Sequence, residues 1–385
     1  MKHPNLHIKT KLPNTGTTIF SIMSALANEE KAINLSQGFP GFKIDSKLTK
    51  LVAKYMDDGF NQYAPMTGVP KLCEAISNKV TKLYGTTYSA EKEINITSGA
   101  TQAIYTAIAA MIRENDEVII FDPAYDCYAP AVTLHGGIPV FINLLEPNFE
   151  INWDEVKKRV SQKTKMIIIN SPQNPTGSVW TAHDIHQLEK ITAGTDIIII
   201  SDEVYEHVIF DRLDHESVTK SEELASRSFV VYSFGKTYHA TGWKMGYVLA
   251  PEELMKEFRK VHQYNVFTSN TPIQHAFADY MQNENKYLKL PDFYQKKRDV
   301  FRKSLEGSRF KVLNCSGSYF QLLDYSDITD EIDTEFAIRL TRESKVASIP
   351  ISVFYNNAPK QTLLRFCFAK KESELKKAAE ILCSI

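Results

Sequence analysis

Short apolar runs alternate with amphipathic stretches along the middle of the chain, between Ile94 and Ala250. The runs are rich in isoleucine and valine and span residues 94–96, 117–121, 139–143, 165–169, 197–200, 229–232 and 245–249. The run at 197–200 is isoleucine at every position, which is typical of a strand covered by helices on both faces. The pattern therefore predicts an α/β domain with a mostly parallel sheet between two layers of helices.

The C-terminal part of the chain has a different pattern, with longer amphipathic stretches and few strand-like segments. The amphipathic stretches lie at 292–305 and 373–382, and the strand-like segments between them lie at 319–323 and 363–368. Helices and short strands that do not alternate regularly are typical of an α+β arrangement. This part of the chain is therefore predicted to form a smaller α+β domain.

A chain of 385 residues exceeds the usual size of one compact domain, so we expect two domains. We predict that residues 36–280 form the large domain, and that residues 1–35 and 281–385 together form the small one. In this division, the segment 13–35 packs against the C-terminal part of the chain or against a partner subunit.

The balance of charge argues against nucleic acid and membrane partners. With 45 basic and 46 acidic residues, the formal net charge of -1 produces no overall field that would attract nucleic acid or anionic lipid. A dense basic run, Lys296 to Arg298, is therefore interpreted as a solvated helix face. The start of the chain has no apolar segment typical of signal peptides, and the later apolar runs have strand length, so a cytoplasmic protein is expected. No metal site is predicted.

Polar motifs directly follow three of the predicted strands. Asn-Pro-Thr-Gly occupies 174–177, Asp-Glu-Val-Tyr occupies 202–205 and Ser-Phe-Gly-Lys occupies 233–236, with Gly-Trp-Lys shortly after at 242–244. In sheets of this kind, ligands bind outside the carboxyl ends of the strands. The three loops are therefore expected to converge on one crevice.

These motifs contain the chemical groups that a pyridoxal phosphate site needs. A lysine amine bonds to the cofactor aldehyde, an aspartate keeps the pyridine nitrogen protonated, and asparagine and tyrosine bond the phenolic oxygen. Serine and a second basic residue hold the phosphate. Each motif alone is weak evidence, because a lysine in a loop rich in serine and glycine is usually a surface residue. Their order at the ends of successive apolar runs is the specific signal.

Over nearly its whole length, the chain resembles the class I aminotransferases of the pyridoxal phosphate fold type I group. The resemblance runs from Asn-Leu-Ser-Gln-Gly-Phe-Pro at 34–40 to Arg365. It is strongest to the branch that contains kynurenine aminotransferase, glutamine transaminase K and bacterial methionine aminotransferase. The motifs that support this branch are Asn-Gln-Tyr at 61–63, Phe-Asp-Pro-Ala-Tyr-Asp at 121–126, Gly-Lys-Thr at 235–237 and Thr-Gly-Trp-Lys at 241–244. The resemblance implies a transaminase that uses pyridoxal 5'-phosphate and acts on amino acids and 2-oxo acids.

The resemblance also implies which residues bind the cofactor. Lys236 bonds the aldehyde and later moves the substrate's α-proton, Asp202 pairs with the pyridine nitrogen, and Tyr205 bonds the phenolic oxygen, so these three are the expected catalytic residues. Asn174 is a second partner of the phenolic oxygen, and Tyr125 stacks on the ring. The residues expected to hold the phosphate are Gly99, Ala100, Thr101, Ser233 and Lys244, together with Tyr63 of the partner subunit.

Two of these phosphate residues have further consequences. Because Tyr63 is expected to reach the neighbouring subunit's site, the resemblance implies a homodimer with shared active sites. Many relatives have arginine where Lys244 stands. Lysine keeps the charge but lacks the two-pronged donor geometry of arginine, so the backbone donors at 99–101 are expected to matter more here.

The substrate is expected to be recognised first by its α-carboxylate. Arg365 lies inside an otherwise apolar strand pattern and matches the family's carboxylate-binding arginine, with Gly38 and Asn174 completing the cradle. Candidates for the side-chain pocket are Phe20, Tyr264 and Phe267, with Ile19 and Phe39. The stretch 263–272, which supplies an arginine in aspartate-specific relatives, contains no basic residue. Methionine, aromatic amino acids, glutamine and kynurenine are therefore expected to be preferred over aspartate.

Three other functions are alternatives; the first stays open, and the sequence argues against the other two. A carbon–sulfur β-lyase uses the same carbanion when the substrate has a leaving group on its β-carbon. A non-catalytic regulator with an aminotransferase domain would need a DNA-binding module, and only about thirty residues precede Asn34. A nucleotide-dependent oxidoreductase would need the G-x-G-x-x-G motif after its first strand, and that motif does not occur.

Overall fold

The computed structural model describes residues 9–13 and 15–385. Within them, the strands are β1 (Ile33–Asn34), β2 (Ile94–Thr97), β3 (Glu117–Asp122), β4 (Ile138–Asn143), β5 (Thr164–Asn170), β6 (Ile198–Asp202), β7 (Ser228–Ser233), β8 (Gly246–Leu249), β9 (Lys311–Val312), β10 (Phe320–Asp324), β11 (Val346–Ala347), β12 (Ile349–Pro350) and β13 (Leu363–Cys367). The helices are α1 (Ile19–Glu29), α2 (Ser46–Asp57), α3 (Pro70–Tyr84), α4 (Ala100–Met111), α5 (Tyr128–Leu134), α6 (Trp153–Arg159), α7 (Ala182–Thr192), α8 (Glu222–Ala225), α9 (Phe234–Thr237), α10 (Glu252–Asn265), α11 (Thr271–Tyr280), α12 (Asn285–Leu288), α13 (Leu290–Ser304), α14 (Asp333–Glu343) and α15 (Glu372–Cys383). None of the described helices is both long and apolar enough to cross a membrane.

The largest sheet among the described residues has seven strands, in the order β2-β8-β7-β6-β5-β3-β4. Strands β7, β6, β5, β3 and β4 run parallel, and β8 runs antiparallel to both of its neighbours. Asn170 at the end of β5 lies opposite Asp202 at the end of β6. The carboxyl ends of these central strands therefore meet at one edge of the sheet, as the sequence pattern predicts.

Both faces of this sheet are buried against apolar side chains. Neighbouring residues on β6 enter different apolar clusters, since Ile199 packs with one cluster and Ile200 with the other. Neither side chain has measurable exposure, so each contributes roughly 1.5–3 kcal/mol of burial free energy. This burial on two sides explains the unbroken isoleucine run and confirms the predicted α/β fold with helices on both faces.

A second, antiparallel sheet has the order β12-β13-β10-β9, and the short strand β1 pairs in parallel with β11. Helix α1 packs against α14 and β11. The segment before the large sheet thus packs on the C-terminal part of the chain. The division at residues 36–280 remains a prediction, and residues 1–8 and Asn14 of the predicted small domain lie outside the described residues.

The interpretation of the basic run 296–298 as a solvated helix face is wrong for two of its three residues. On α13, Lys297 and Arg298 are buried, and only Lys296 is exposed. Arg298 donates to both oxygens of Asp211, at 2.6 and 2.7 Å, and the Lys297 amine donates to the Lys370 carbonyl at 2.8 Å. Tertiary partners that the local sequence does not reveal satisfy these buried charges.

Candidate active site

A cavity of about 180 Å³ lies at the carboxyl ends of β5, β6 and β7. Ten of the eleven residues predicted to bind the cofactor line it: Gly99, Ala100, Thr101, Tyr125, Asn174, Asp202, Tyr205, Ser233, Lys236 and Lys244. Its other lining residues are Ile104, Asn170, Val204, Gly235, Thr241 and Met245. Residues that are distant in sequence therefore share one concave site.

Asp202 is buried at the end of β6, where two donors hold its carboxylate. The Tyr128 hydroxyl donates to Oδ2 at 2.5 Å, and the Val204 N–H donates to Oδ1 at 3.3 Å. Burial raises the pKa of Asp202 to about 6, although these hydrogen bonds and the nearby Lys236 favour the ionised form. A protonated pyridine nitrogen beside this carboxylate would favour ionisation further, because opposite charges stabilise each other.

Asn170 connects the loops that follow β5 and β6. Its Nδ2 donates to the Asp202 carbonyl at 2.8 Å, and its Oδ1 accepts the Asn174 N–H at 2.9 Å. The Asn174 side chain in turn accepts a hydrogen bond from Arg365 at 2.6 Å. Asn174, which is predicted to bind both cofactor and substrate, therefore contacts Asn170 on the cofactor side and Arg365 on the substrate side.

Lys236 lies in the short helix α9, whose first turn is capped by Ser233. The Ser233 hydroxyl accepts the Lys236 N–H at 3.3 Å. The lysine amine donates to the Tyr319 hydroxyl at 2.9 Å and to the Gly38 carbonyl at 3.2 Å. Burial lowers the pKa of Lys236 to about 8, which increases the fraction of neutral amine available as a nucleophile.

The start of α4 forms an anion site on the other side of the cavity. Gly99 precedes the helix with φ of 82°, a conformation that favours glycine. No side chain caps the first N–H groups of α4, and the residues at 99–101 line the cavity. Such N–H groups and the helix dipole attract a phosphate. Lys244 adds a positive charge from a residue that itself has a left-handed backbone, with φ of 51°.

Arg365 is 1% exposed on β13 and is surrounded by aromatic rings. Its guanidinium carbon lies 3.9 Å from the ring centroid of Phe320, 4.9 Å from that of Phe354 and 5.3 Å from that of Phe20. It donates to Asn174 and, at 3.2 Å, to the Ser36 carbonyl, while its Nε has no partner. Burial lowers the pKa of Arg365 to about 10.

Six of the predicted residues do not line this cavity. Gly38, Phe20 and Arg365 lie beside it through their contacts with Lys236 and with one another, whereas the other three are exposed. Tyr63, Tyr264 and Phe267 are 83%, 86% and 41% exposed, and the ring of Tyr63 packs edge-to-face on that of Phe267 at 5.6 Å. Their predicted roles involve a partner subunit or a side-chain pocket, and those roles remain predictions.

The sequence reasoning missed four aromatic residues that surround the site: Tyr128, Tyr319, Phe320 and Phe354. Tyr128 follows Tyr125 by three residues, and Tyr319 and Phe320 form an aromatic pair at the start of a predicted strand. These were weak signals, because buried aromatic residues are common in any core.

The fold and this cavity are those of an aminotransferase. Residues 30–382 match the family of class I and II aminotransferases, so the chain belongs to this family and is a pyridoxal phosphate-dependent transaminase. It is 50% identical to the methionine aminotransferase of Escherichia coli over 97% of both chains. A solved E. coli structure described as having a methionine aminotransferase function has a TM-score of 0.97, 49% identity, and covers 99% of this chain and 100% of its own. Human kynurenine–oxoglutarate transaminase 3 is 32% identical, over 97% of this chain and 89% of the human protein.

The cavity residues fit the cofactor of this family. The site combines a buried lysine of lowered pKa, a buried carboxylate and a helix start beside a second lysine. These groups complement the aldehyde, the ring nitrogen and the phosphate of pyridoxal 5'-phosphate. When bound, the cofactor supplies an electron-withdrawing ring that stabilises negative charge at the substrate's α-carbon.

Proposed function

We propose that this transaminase moves the amino group of methionine, and of aromatic or other large neutral amino acids including glutamine and kynurenine, to a 2-oxo acid. The observation that carries this proposal is the position of Arg365 among the rings of Phe20, Phe320 and Phe354. A buried guanidinium without a carboxylate partner favours an incoming α-carboxylate. The adjoining aromatic surface favours a thioether or an aromatic side chain on the same substrate.

We infer the following roles for the cavity residues. Lys236 bonds the cofactor and, once released, transfers a proton from the substrate's α-carbon. Asp202 keeps the ring nitrogen protonated, while Asn174 and Tyr205 bond the phenolic oxygen and Tyr125 covers the ring. The residues inferred to hold the phosphate are Gly99, Ala100, Thr101, Ser233 and Lys244.

Substrate carboxylate recognition is inferred to involve Arg365, Gly38 and Asn174. The Arg365 guanidinium already donates to the Asn174 side-chain oxygen at 2.6 Å. Substrate binding would therefore either replace this hydrogen bond or add further ones to the same guanidinium. Phe20 lies against Arg365 and is therefore supported as part of the side-chain pocket. Tyr264 and Phe267 would contribute only through a second subunit, given their exposure.

We further infer that the enzyme is a homodimer with shared active sites. Three large aromatic side chains, Tyr63, Tyr264 and Phe267, are exposed. Exposed aromatic surface of this kind is typical of an interface. The family resemblance, which places Tyr63 of the partner subunit at the phosphate, supports the same assembly. A cytoplasmic location remains a prediction from the sequence.

The substrate proposal is tested by measuring kcat/KM for a panel of amino acids against several 2-oxo acids, with product detection. Methionine is expected to exceed aspartate by about 100-fold or more, because an unpaired buried carboxylate loses several kcal/mol whereas a buried thioether gains roughly 1.5–3 kcal/mol. Aspartate equal to or better than methionine would show that another cation enters the side-chain pocket, and the proposal would then be abandoned.

A further inference from the structure

The amine of Lys236 is enclosed by two oxygen acceptors that also contact each other. It donates to the Tyr319 hydroxyl at 2.9 Å and to the Gly38 carbonyl at 3.2 Å. The Tyr319 hydroxyl donates to the same Gly38 carbonyl at 2.6 Å. Because the only proton of this phenol is directed at Gly38, its oxygen is left as an acceptor for the lysine.

The backbone around Tyr319 is arranged to bring its ring to this position. Ser318 has φ of 59°, in the left-handed region, and its N–H donates to the Val208 carbonyl at 2.8 Å. The fully buried Tyr319 follows and packs edge-to-face on Tyr205 at 5.0 Å. An uncommon backbone conformation held by a tertiary hydrogen bond often accompanies a functional position.

Gly38 belongs to the loop that also contacts Arg365. A side chain at position 38 would place its Cβ 2.8 Å from the ring of Phe320, the ring that covers the Arg365 guanidinium. The Ser36 carbonyl in the same loop accepts from Arg365 at 3.2 Å. Tyr319 therefore connects the lysine to the loop that is inferred to bind the substrate carboxylate.

We propose that Tyr319 is a positioning residue for proton transfer, because its hydroxyl and the Gly38 carbonyl hold the N–H groups of the Lys236 amine and direct its lone pair at the reacting carbon. A neutral amine has two N–H groups and one lone pair. With both N–H groups held by acceptors, the lone pair has one direction left. This inference rests on the role proposed above for Lys236 and adds how its amine is oriented.

The lysine amine has other charged or titratable neighbours that affect its protonation. Those facing it are Asp202, Cys367, Arg365, Lys244 and Tyr205, with Tyr319 itself. Tyr319→Phe leaves the other five in place and removes only the Tyr319 hydroxyl. A change in the behaviour of the amine in this variant therefore reports the hydroxyl.

The first test compares half-reactions of the intact holoenzyme with methionine and α-deuterated methionine. In Tyr319→Phe, we expect the maximal rate constant of this half-reaction to fall by about 10- to 100-fold, with little change in the methionine concentration that gives half of it, the range for a misplaced proton-transfer group. The primary isotope effect is expected to increase, because proton transfer becomes slower relative to the other steps. A loss of packing alone would not selectively slow this step.

The second readout does not depend on turnover. The cofactor is removed from the full-length protein, and the rate at which added pyridoxal 5'-phosphate is captured is followed by visible absorbance across pH. Loss of an acceptor removes a hydrogen bond that favours the charged amine, so the pKa of Lys236 should fall below about 8 and the pH midpoint of capture should shift downward.

Tyr294→Phe is the matched control. Tyr294 is also fully buried and packs on Tyr319 at 5.7 Å, but its hydroxyl pairs with His239 at 3.0 Å. Tyr319→Phe removes two hydrogen bonds of its hydroxyl and Tyr294→Phe removes one, so the melting temperature of each variant is measured to separate lost stability from altered proton transfer. If Tyr319→Phe keeps the parent isotope effect and pH midpoint, as Tyr294→Phe should, the proposal is wrong even when stability is reduced. If Lys236→Ala retains full turnover, the proposed function of the lysine itself fails instead.

Discussion

Burial opposes ionisation of the three charged residues that are central to this site. The pKa of Lys236 is lowered to about 8, that of Arg365 is lowered to about 10, and that of Asp202 is raised to about 6. For Asp202 and Arg365, a charged ligand group can supply an opposite charge that their direct hydrogen-bond partners do not provide. The cofactor nitrogen and the substrate carboxylate are the expected partners of Asp202 and Arg365.

Replacing Arg365 by leucine should impair all amino acid substrates to a similar degree. The guanidinium is inferred to bind the α-carboxylate that every substrate shares, and losing a buried charge-assisted pair removes about 2–5 kcal/mol of transition-state binding. We therefore expect kcat/KM to fall by about 30-fold or more for methionine, phenylalanine and glutamine.

A suitable control is Arg339→Leu, which removes an arginine paired with Glu331 at the surface. Its kcat/KM values should stay near those of the parent, since exposed ion pairs contribute about 0–1 kcal/mol and this one is remote from substrate. An Arg365→Leu effect confined to one amino acid would place the arginine in the side-chain pocket and contradict its assignment to the carboxylate.

At the scale of elements, side chains of helix α3 contact the loop that follows β6 and stabilise it. Tyr205 faces the cavity, whereas its neighbour Glu206 points to α3, where it pairs with the amine of Lys79 and accepts from the Tyr84 hydroxyl at 2.6 Å. Burial alone would raise the pKa of Glu206, but His207 and Lys79 lower it to about 2. This buried pair therefore fixes the loop that presents Tyr205.

Lys79→Met should destabilise the protein more at pH 7 than at pH 5. The lowered pKa of Glu206 gives the parent a stabilisation that is present above about pH 4.5 and is lost as pH falls through about 2. Without Lys79, burial raises the pKa of this carboxyl, and the penalty then grows with pH. Denaturant unfolding at pH 7 should show a loss of about 3–5 kcal/mol.

Two further variants separate this effect from a general weakening of α3. Lys82 lies on the same helix, α3, and forms an exposed ion pair with Glu284. Lys82→Met removes this pair and should change the free energy of unfolding by less than about 1 kcal/mol. The double variant Lys79→Met, Glu206→Gln removes both charges and should recover much of the loss. An equal loss at both pH values would show that packing, not charge, explains the result.

At the scale of the whole molecule, the site of one chain is inferred to be incomplete. Tyr63 does not line the cavity of its own chain and is 83% exposed. The resemblance places this tyrosine at the phosphate of the neighbouring subunit. Activity is therefore expected to require two chains.

Mixing two inactive or weakened variants should restore activity in hybrid dimers. A hybrid of a Lys236→Ala chain with a Tyr63→Phe chain contains one site that has both its own lysine and the tyrosine from the other chain. After subunit exchange, the specific activity of the mixture should exceed the average of the two separate preparations. Lys236→Ala mixed with itself provides the baseline, and an active monomer in sedimentation would contradict the shared site.

The local sequence was sufficient to predict the large sheet and the convergence of Asn174, Asp202 and Lys236 on one cavity. The apolar run 197–200 is buried on both faces of the sheet. An unbroken run of this kind indicates such a strand from its own composition, without knowledge of which residues pack on it. Asp202 and Lys236 follow such runs directly, so the topology rule for parallel sheets predicts their meeting. These predictions needed only the order of strands and motifs.

The tertiary structure decided which side chains surround those residues. Tyr128 contacts Asp202 across 74 positions, Lys236 contacts Gly38 across 198, and Tyr319 contacts Gly38 across 281. The burial of Lys297 and Arg298 likewise depends on partners outside their own helix. Contacts over such separations result from the packing of whole elements and leave no local periodic signal. The sequence therefore determined the fold and its main chemical groups, whereas packing decided how those groups are oriented and charged.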